Sequence, residues 1–313
     1  MSAPGWARGA RAAGYRVLGP GFAYLLHTRP AEWPIMAAHT ALGYILAVGL
    51  AGAARGERLA PAVLGLLAWV VGLNGGTLAL NSAVDRDEGD VAYLRNPPPP
   101  PAYLFPFGLA LMAAGQLVAL RLPSPFAVAY GVCFALSILY SVPPFRLKAV
   151  AGADWLINML GFGTLTPFAG WAATGLPVDP AGTFVLLAFC PLFAALYPLT
   201  QLYQMEEDER RGDRTLALRL GLRRSLDVSL ACTGVALALF VGGGLRAGWR
   251  VGTPGDLARW GAIVVVIAAW LGVLVPWRAR QTRLRAGDHQ RRMYLALGAW
   301  AVTDVAVALA WGT

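Results

Sequence analysis

The sequence has few charged residues and only three cysteines. Asp, Glu, Lys and Arg make up 14% of its 313 residues, whereas they make up about a quarter of an average soluble domain. The mean hydropathy is +0.54, so the composition excludes an ordinary soluble domain. The three cysteines lie far apart within apolar stretches and predict neither a disulfide framework nor a thiolate metal site.

Long stretches without charge recur along the whole chain, and most are long enough to cross a membrane as a helix. They predict an all-α polytopic membrane protein, a bundle of nine transmembrane helices around a central cavity. The predicted spans are Trp33–Ala54, Leu59–Val84, Asn96–Leu120, Leu122–Phe145, Trp155–Val178, Pro180–Met205, Val228–Leu245, Trp260–Trp277 and Met293–Thr313.

The positive charges are distributed unevenly between the two sides of this topology. With the N-terminus in the cytoplasm, 20 of the 26 Lys and Arg residues lie in cytoplasmic segments, as the positive-inside rule requires. The net charge of +9 therefore indicates topology and attraction to anionic lipid, and we expect no nucleic-acid partner. Residues 1–28 contain no uninterrupted apolar core of the signal-peptide type and predict a cytoplasmic lead-in.

The first acidic segment is Asn81–Asp90, which has four carboxylates within six positions after a long uncharged stretch. Asn81 and Asp85 are four residues apart, so on a helix they share one face and can bind one ion. Asp154 and Asn158 have the same spacing at the start of the fifth predicted span.

The second acidic segment, Glu206–Glu209 with Asp213, follows the sixth apolar stretch. Together the two segments contain nine of the 17 acidic residues, and the topology puts both on the cytoplasmic side. Gln204 and Asp208 again have the four-residue spacing and are expected on one helix face.

Carboxylates at the ends of apolar helices suit hard cations such as Mg²⁺, which combines one or two carboxylates with substrate phosphates and water. A lipid diphosphate bound through Mg²⁺ becomes a better leaving group, and apolar walls would hold its hydrocarbon tail. Carboxylates alone also suit a cation transporter. From the residues themselves, both functions stay open.

Two further features stand out. The segment Tyr140–Lys148 combines a Pro-Pro turn with Arg146 and with the only lysine of the chain, which suits either phosphate binding or a positively charged loop. Asp304 lies within the ninth predicted span, where an ionisable residue is a functional-site candidate. A buried structural hydrogen bond is the alternative for Asp304, and the sequence does not identify its partner.

With these motifs in order, the chain resembles the UbiA superfamily of intramembrane prenyltransferases over nearly its whole length. The first motif of that family is N-D-x-x-D-x-x-x-D. Asn81 and Asp85 match two of its named positions, Ser82 replaces its first Asp, and Asp90 or Asp87 would have to serve as its last.

The second family motif is D-x-x-x-D, followed by Gly and a Thr-Leu pair. It is matched by Asp208, Gly212, Thr215 and Leu216, while Gln204 stands where the first Asp is usual. The segment 140–148 resembles the family's Y-S-x-P-P-x-R-x-K loop, and 27–30 resembles the usual start of its first helix.

The resemblance implies one domain over 1–313, with cytoplasmic active-site loops at 81–102, 141–154 and 204–224. It implies Mg²⁺-dependent transfer of a prenyl group from an isoprenyl diphosphate to a lipophilic acceptor in the cell membrane. The implied catalytic residues, which are also metal ligands, are Asn81, Asp85 and Asp208; further metal ligands are Asp87, Asp90, Glu207 and Asp213. The implied diphosphate-binding residues are Arg29, Tyr140, Ser141, Arg146, Lys148, Tyr203 and Gln204.

The departures from both motifs leave two alternatives. An intramembrane terpene cyclase of the same superfamily would quench its carbocation internally. A transporter or lipid-binding protein would not release diphosphate at all. Neither the acceptor nor the length of the donor chain follows from the sequence.

Overall fold

The computed structural model describes residues 5–85, 94, 96–211 and 215–313, without the side chains of 5–8, 207, 208 and 211. The described residues form helices and loops with no β-strand, which confirms the all-α prediction. The α-helices are α1 Gly5–Leu18, α2 Phe22–His27, α3 Trp33–Ala54, α4 Leu59–Leu67, α5 Gly76–Asp85, α6 Leu104–Ala119, α7 Ser124–Ser141, α8 Ala153–Asn158, α9 Thr166–Ala173, α10 Pro180–Gln201, α11 Met205–Arg211, α12 Leu216–Arg246, α13 Pro254–Arg280 and α14 Ala286–Trp311.

Seven of the nine predicted spans are confirmed among the described residues as helices long and apolar enough to cross a membrane. The third prediction is too long, because the run Pro97–Pro101 is not helical and α6 has only 16 residues. The fifth is helical from Ala153 to Ala173, with the π-helix Met159–Leu165 between α8 and α9, but it is not among the helices that are long and apolar enough. The protein is thus an integral membrane protein, but the count of nine spans is not confirmed.

The chain divides into two compact units, and it passes from one to the other within α3, within α4 and after Phe145. One unit comprises Met1–Ala38 and Val63–Phe145, and the other comprises His39–Ala62 and Arg146–Thr313. We call them the first and the second unit. The single domain over 1–313 stays a prediction.

In the first unit, small residues bring α5 and the preceding π-helix, Ala68–Gly75, against α6. A Cβ atom at Gly76 would lie 2.9 Å from the carbonyl oxygen of Gly108, too close for any side chain. This close approach is typical of membrane helices. A hydrogen bond from Thr77 Oγ1 to Ser137 Oγ (2.8 Å) then joins α5 to α7.

The N-terminal segment of the first unit is attached to the proline-rich loop. The Nε2 atom of His27 donates to the carbonyl oxygen of Pro98 (3.1 Å), and Arg11 Nη1 donates to that of Asn96 (2.7 Å). His27 is 2% exposed. Burial lowers its pKa, and the charges of Arg29 and Arg11 add to the lowering, although the backbone hydrogen bond to Pro98 opposes it. The folded protein therefore favours the neutral imidazole.

We expect His27 to make the stability of the protein pH-dependent. Because folding lowers its pKa, its stabilising contribution is complete above the ordinary value of 6.5 and is lost as the pH falls below it. His27→Gln retains an N–H donor but does not titrate. Between pH 7.5 and pH 5.5, Tm should therefore fall further for the wild type than for His27→Gln. Equal decreases in Tm would show that His27 does not cause the dependence.

In the second unit, α3 and α9 approach at the level of the backbone. A Cβ atom at Gly43 would overlap the carbonyl of Pro167, and one at Gly170 would overlap the carbonyl of Thr40. Aromatic side chains from α10, α12, α13 and α14 fill the core beside them. Those with essentially no exposure are Phe189, Phe240, Trp270 and Trp277.

The second unit also contains the partner of Asp304. The Nδ1 atom of His39, on α3, lies 3.1 Å from Asp304 Oδ1, on α14, and His39 Nε2 lies 3.3 Å from the carbonyl oxygen of Gly163 in the π-helix. The ring thus contacts a carboxylate through one nitrogen and a backbone carbonyl through the other. The pair joins three membrane segments and is enclosed by Phe189 and Trp300.

We predict a strong coupling between His39 and Asp304. Replacing either residue alone with Leu should destabilise the protein by about 1–3 kcal/mol, since a buried polar group is left without its partner. The double variant His39→Leu/Asp304→Leu should recover most of that loss. Denaturation of the four proteins in the same detergent measures the coupling. If the two single effects simply add, the pair is not coupled.

Candidate active site

The C-terminal end of α5 positions the first group of predicted ligands. Asn81 and Asp85 lie one turn apart on this helix, as predicted, and both are half-buried. They present an amide oxygen and a carboxylate on one face. Asp87 and Asp90, the provisional ligands that follow, lie outside the described residues.

Ser82, which replaces an Asp of the family motif, is on a different face of α5. It is 3% exposed, whereas its neighbour Asn81 is half-buried. An acid at position 82 would therefore enter the packed interior of the first unit. The replacement by Ser leaves the face that carries Asn81 and Asp85 intact.

The structure brings Ser141 towards the same end of the first unit. Thr77 on α5 and Ser137 on α7 are hydrogen-bonded to each other. Asn81 and Ser141 each lie one helical turn beyond this bonded pair, towards the C-terminal ends of their helices. Ser141 itself is completely buried, and its hydroxyl has no hydrogen-bond partner among the described residues. The neighbouring Tyr140 is half-buried.

Arg29 lies in the turn that packs against the start of α5. It is 7% exposed and has a positive φ of 52°. The turn is held by the Trp33 indole, which donates to the carbonyl oxygen of Thr28 (3.0 Å). Burial raises the pKa of Glu32 in the same turn, and the positive charge of Arg29 opposes that rise. A buried guanidinium of this kind needs an anionic neighbour.

The second acidic segment does not continue the helix of the sixth span. Helix α10 ends at Gln201, a turn follows, and α11 begins at Met205. Gln204 lies in the turn directly before α11 and is exposed, so the prediction that Gln204 and Asp208 share one helix face stays a prediction. Asp208 lies on α11.

The side chains of Glu207 and Asp208 and the whole of Asp213 are outside the described residues, while Tyr203 is half-buried in the turn. The bond that closes the base of this loop was not predicted. Gln201 Oε1, at the end of α10, accepts from the backbone N–H of Ala217 in the first turn of α12 (3.1 Å). Thr215 caps α12 by accepting from Leu218 N (3.4 Å). The acidic segment is thus held at both ends.

Arg146 and Lys148 lie in the second unit, in the loop before α8. Arg146 is exposed and adopts a left-handed conformation with φ 37°, and Lys148 is half-buried in the short 3₁₀ turn Leu147–Ala149. Arg29, Asn81, Asp85, Tyr140 and Ser141 all belong to the first unit.

Asp154 has a role that its spacing from Asn158 did not predict. The Oδ1 atom of Asp154 accepts from Gly152 N (2.8 Å), and Oδ2 accepts from the hydroxyl of Tyr197 on α10 (3.1 Å). Asn158 Nδ2 donates to the backbone carbonyl of Asp154 (2.8 Å). The two side chains therefore do not converge on an ion, and Asp154 instead joins the cation-bearing loop to α10.

The described donors fit Mg²⁺ in type. Asn81 and Asp85 supply hard oxygen atoms on one helix face, and Mg²⁺ needs only one or two carboxylates when phosphate and water complete its coordination. In the described part of the chain, no three His, Cys, Asp or Glu side chains form a group that could hold a metal alone. The described residues thus supply one part of such a site.

Solved structures of other membrane proteins have the same fold. A UbiA homologue from Archaeoglobus fulgidus with bound GPP and Mg²⁺ has 20% identity and a TM-score of 0.67, over 92% of this chain and 98% of that chain. The same homologue with DMAPP and Mg²⁺ has 21% identity and a TM-score of 0.66, over 90% and 99%. A digeranylgeranylglyceryl phosphate synthase has 11% identity and a TM-score of 0.69, over 92% and 97%.

At these identities the structural similarity shows the fold alone. No curated protein sequence matches the chain significantly. A model of the UbiA prenyltransferase family matches residues 41–300, a range that includes both acidic segments and the Tyr140–Lys148 loop. The protein therefore belongs to the UbiA prenyltransferase family.

Proposed function

We propose that the protein transfers a prenyl group from an isoprenyl diphosphate to a lipophilic acceptor within the membrane, and that the reaction requires Mg²⁺. The observation that carries the proposal is the placement of Asn81 and Asp85 one turn apart at the end of a membrane helix, in a chain of this family. Structures of a homologue with GPP or DMAPP and Mg²⁺ support this choice of donor.

In the proposed complex, Asn81, Asp85 and Asp208 hold Mg²⁺, with Asp87, Asp90, Glu207 and Asp213 as further ligands. When bound, Mg²⁺ neutralises charge on the diphosphate leaving group. Further diphosphate contacts come from Arg29, Tyr140, Ser141, Arg146, Lys148, Tyr203 and Gln204. Arg29 suits this role because its guanidinium is buried, and the unpartnered hydroxyl of Ser141 is available to donate to a phosphate oxygen.

The proposed reaction breaks the bond between the first prenyl carbon and a diphosphate oxygen, and the electron pair leaves with the diphosphate. The acceptor then forms a bond to that carbon and loses a proton. Aromatic side chains of the second unit support this chemistry: Phe162 stacks on Phe193 (5.4 Å), which contacts Trp300 edge-on (5.7 Å). Such faces stabilise a carbocation and exclude water.

The membrane topology is part of the proposal. We place nine spans around a central cavity, the N-terminus and the three active-site loops in the cytoplasm, and the donor headgroup at that face. The uneven distribution of Lys and Arg supports this orientation.

We predict that Asp85→Asn lowers the rate of Mg²⁺-dependent diphosphate release by about 100-fold or more, or about 2.7 kcal/mol. The substitution preserves the shape of the side chain and removes the charge that binds the metal. The measurement is the release of diphosphate from geranylgeranyl and farnesyl diphosphate by purified protein, with and without candidate acceptors.

Asp227→Asn is the matched control, because Asp227 is an exposed carboxylate bound to Arg278 on the surface of the second unit. It should retain at least half of the wild-type rate. Full turnover by Asp85→Asn would exclude the metal assignment. Release of diphosphate without any acceptor would indicate cyclisation or hydrolysis and not transfer. No release by the wild type would favour a transporter or lipid-binding protein.

A further inference from the structure

The second unit contains a cavity of about 600 Å³ at the end of α10 opposite to the acidic segment. Its wall includes the first residues of α10, from Pro180 to Val185, and the C-terminal ends of α12 and α14. At 1.5 Å per residue, Gln201 lies about 24 Å further along α10 than Val185. The cavity is therefore separate from the proposed diphosphate site, and its volume is typical of sites for small ligands.

The cavity has an aromatic wall. Trp171, Trp249 and Trp311 line it. Trp249 and Trp311 pack closely, with ring centroids 4.5 Å apart, and the guanidinium of Arg259 lies 5.8 Å from the Trp249 ring centroid. Tryptophan is enriched at the level of lipid headgroups, so the wall suits an amphiphile at the membrane surface.

Positive charge dominates among the cavity residues. Arg246 and Arg259 oppose one acid, Asp179. Asp179 is already used as the cap of α10, because its Oδ1 accepts from Gly182 N (2.7 Å). The guanidinium of Arg259 already has two acceptors, since it donates to Asp256 (3.1 Å) and to the carbonyl oxygen of Thr313 (2.6 Å).

Two donors at the cavity have no acceptor. Arg246 is exposed and makes no hydrogen bond or ion pair with the described residues. The indole Nε1 of Trp311 is buried and has no hydrogen-bond partner in the described part of the chain. A buried donor without an acceptor costs about 1–3 kcal/mol. Together with the guanidinium of Arg246, this donor favours an anion with several acceptor oxygens, whereas a cation would meet two guanidinium groups.

We propose that this cavity binds the phosphate of a lipid headgroup. Arg246 pairs with a phosphate oxygen, the packed Trp249 and Trp311 rings contact the glycerol and upper acyl region, and Arg259 adds positive charge from a fixed position. Basic pockets between membrane helices bind anionic headgroups by the same chemistry. Inorganic phosphate shares that chemistry and is the alternative source of the anion.

The test is native mass spectrometry of the delipidated full-length protein in detergent, titrated separately with phosphatidylglycerol, phosphatidylcholine and inorganic phosphate. Arg246→Gln removes the unpaired charge. Arg250→Gln is the matched control, because it removes an exposed Arg four positions away that does not line the cavity. Trp311→Phe keeps an aromatic ring but removes the N–H donor together with the five-membered part of the indole. Thermal denaturation verifies that each variant is folded.

We expect Arg246→Gln to weaken the binding of one phosphatidylglycerol by about five-fold, the effect of a single cation near a lipid phosphate. Trp311→Phe should also weaken binding, while Arg250→Gln should bind like the wild type. Equal weakening by Arg246→Gln and Arg250→Gln would overturn the proposal, since it would indicate unspecific surface attraction. Absence of lipid binding would also overturn the proposal. If inorganic phosphate binds in an Arg246-dependent way and lipid is not preferred, the ligand is a free anion and not a lipid headgroup.

Discussion

Because hydrocarbon offers no hydrogen-bond partners, membrane helices must satisfy their polar groups internally, and this constraint explains where the polar residues of the protein lie. Inside the second unit, the Trp270 indole donates to Thr303 (2.9 Å), and Ser229 donates to the carbonyl oxygen of Ala195 (2.8 Å). The only acid deep in a predicted span, Asp304, is bound to His39. Among the described residues, Asp85, Asp154 and Asp179 lie at helix ends.

The same constraint determines how the candidate site is supported. The acidic segment after α10 is closed at its base by Gln201 and Ala217, and the loop with Arg146 is joined to α10 through Asp154 and Tyr197. These bonds are made at the ends of apolar helices, so the loops are held by the membrane-embedded scaffold. Under the proposed function, this scaffold would fix the loops before the substrate binds, as a preorganised site requires.

Much of the fold could be predicted, because apolar stretches of sufficient length are a direct signal for membrane helices. The two spans that differ show the limits of that signal. Hydropathy does not distinguish helical residues from the run Pro97–Pro101, and it does not detect the π-helix Met159–Leu165. The shared helix of Asn81 and Asp85 was predicted correctly because α5 continues without interruption to Asp85. Gln204 and Asp208 have the same spacing, but Gln204 lies in the turn before α11, and their shared face stays a prediction.

Contacts between distant residues could not be predicted. His39 and Asp304 are 265 positions apart, and no local pattern joins them. Gln201 lay inside the predicted span Pro180–Met205 and gave no sign that it binds Ala217. Whether the altered family motif loses a ligand at position 82 depends on the burial of Ser82. That burial follows from the packing of α5, which the sequence alone does not show. Candidate functional residues at helix ends can thus be recognised in the sequence. The hydrogen bonds that hold these helix ends in place are tertiary contacts and cannot.

The most direct test of the central claim is a structure of the protein with Mn²⁺ in place of Mg²⁺ and a thio-diphosphate analogue of the donor. We expect an anomalous metal signal about 2.1 Å from an oxygen of Asp85. Asn81 and Asp208 should coordinate metal at the same diphosphate. A diphosphate bound without metal at Asp85, or metal bound only elsewhere, would contradict it.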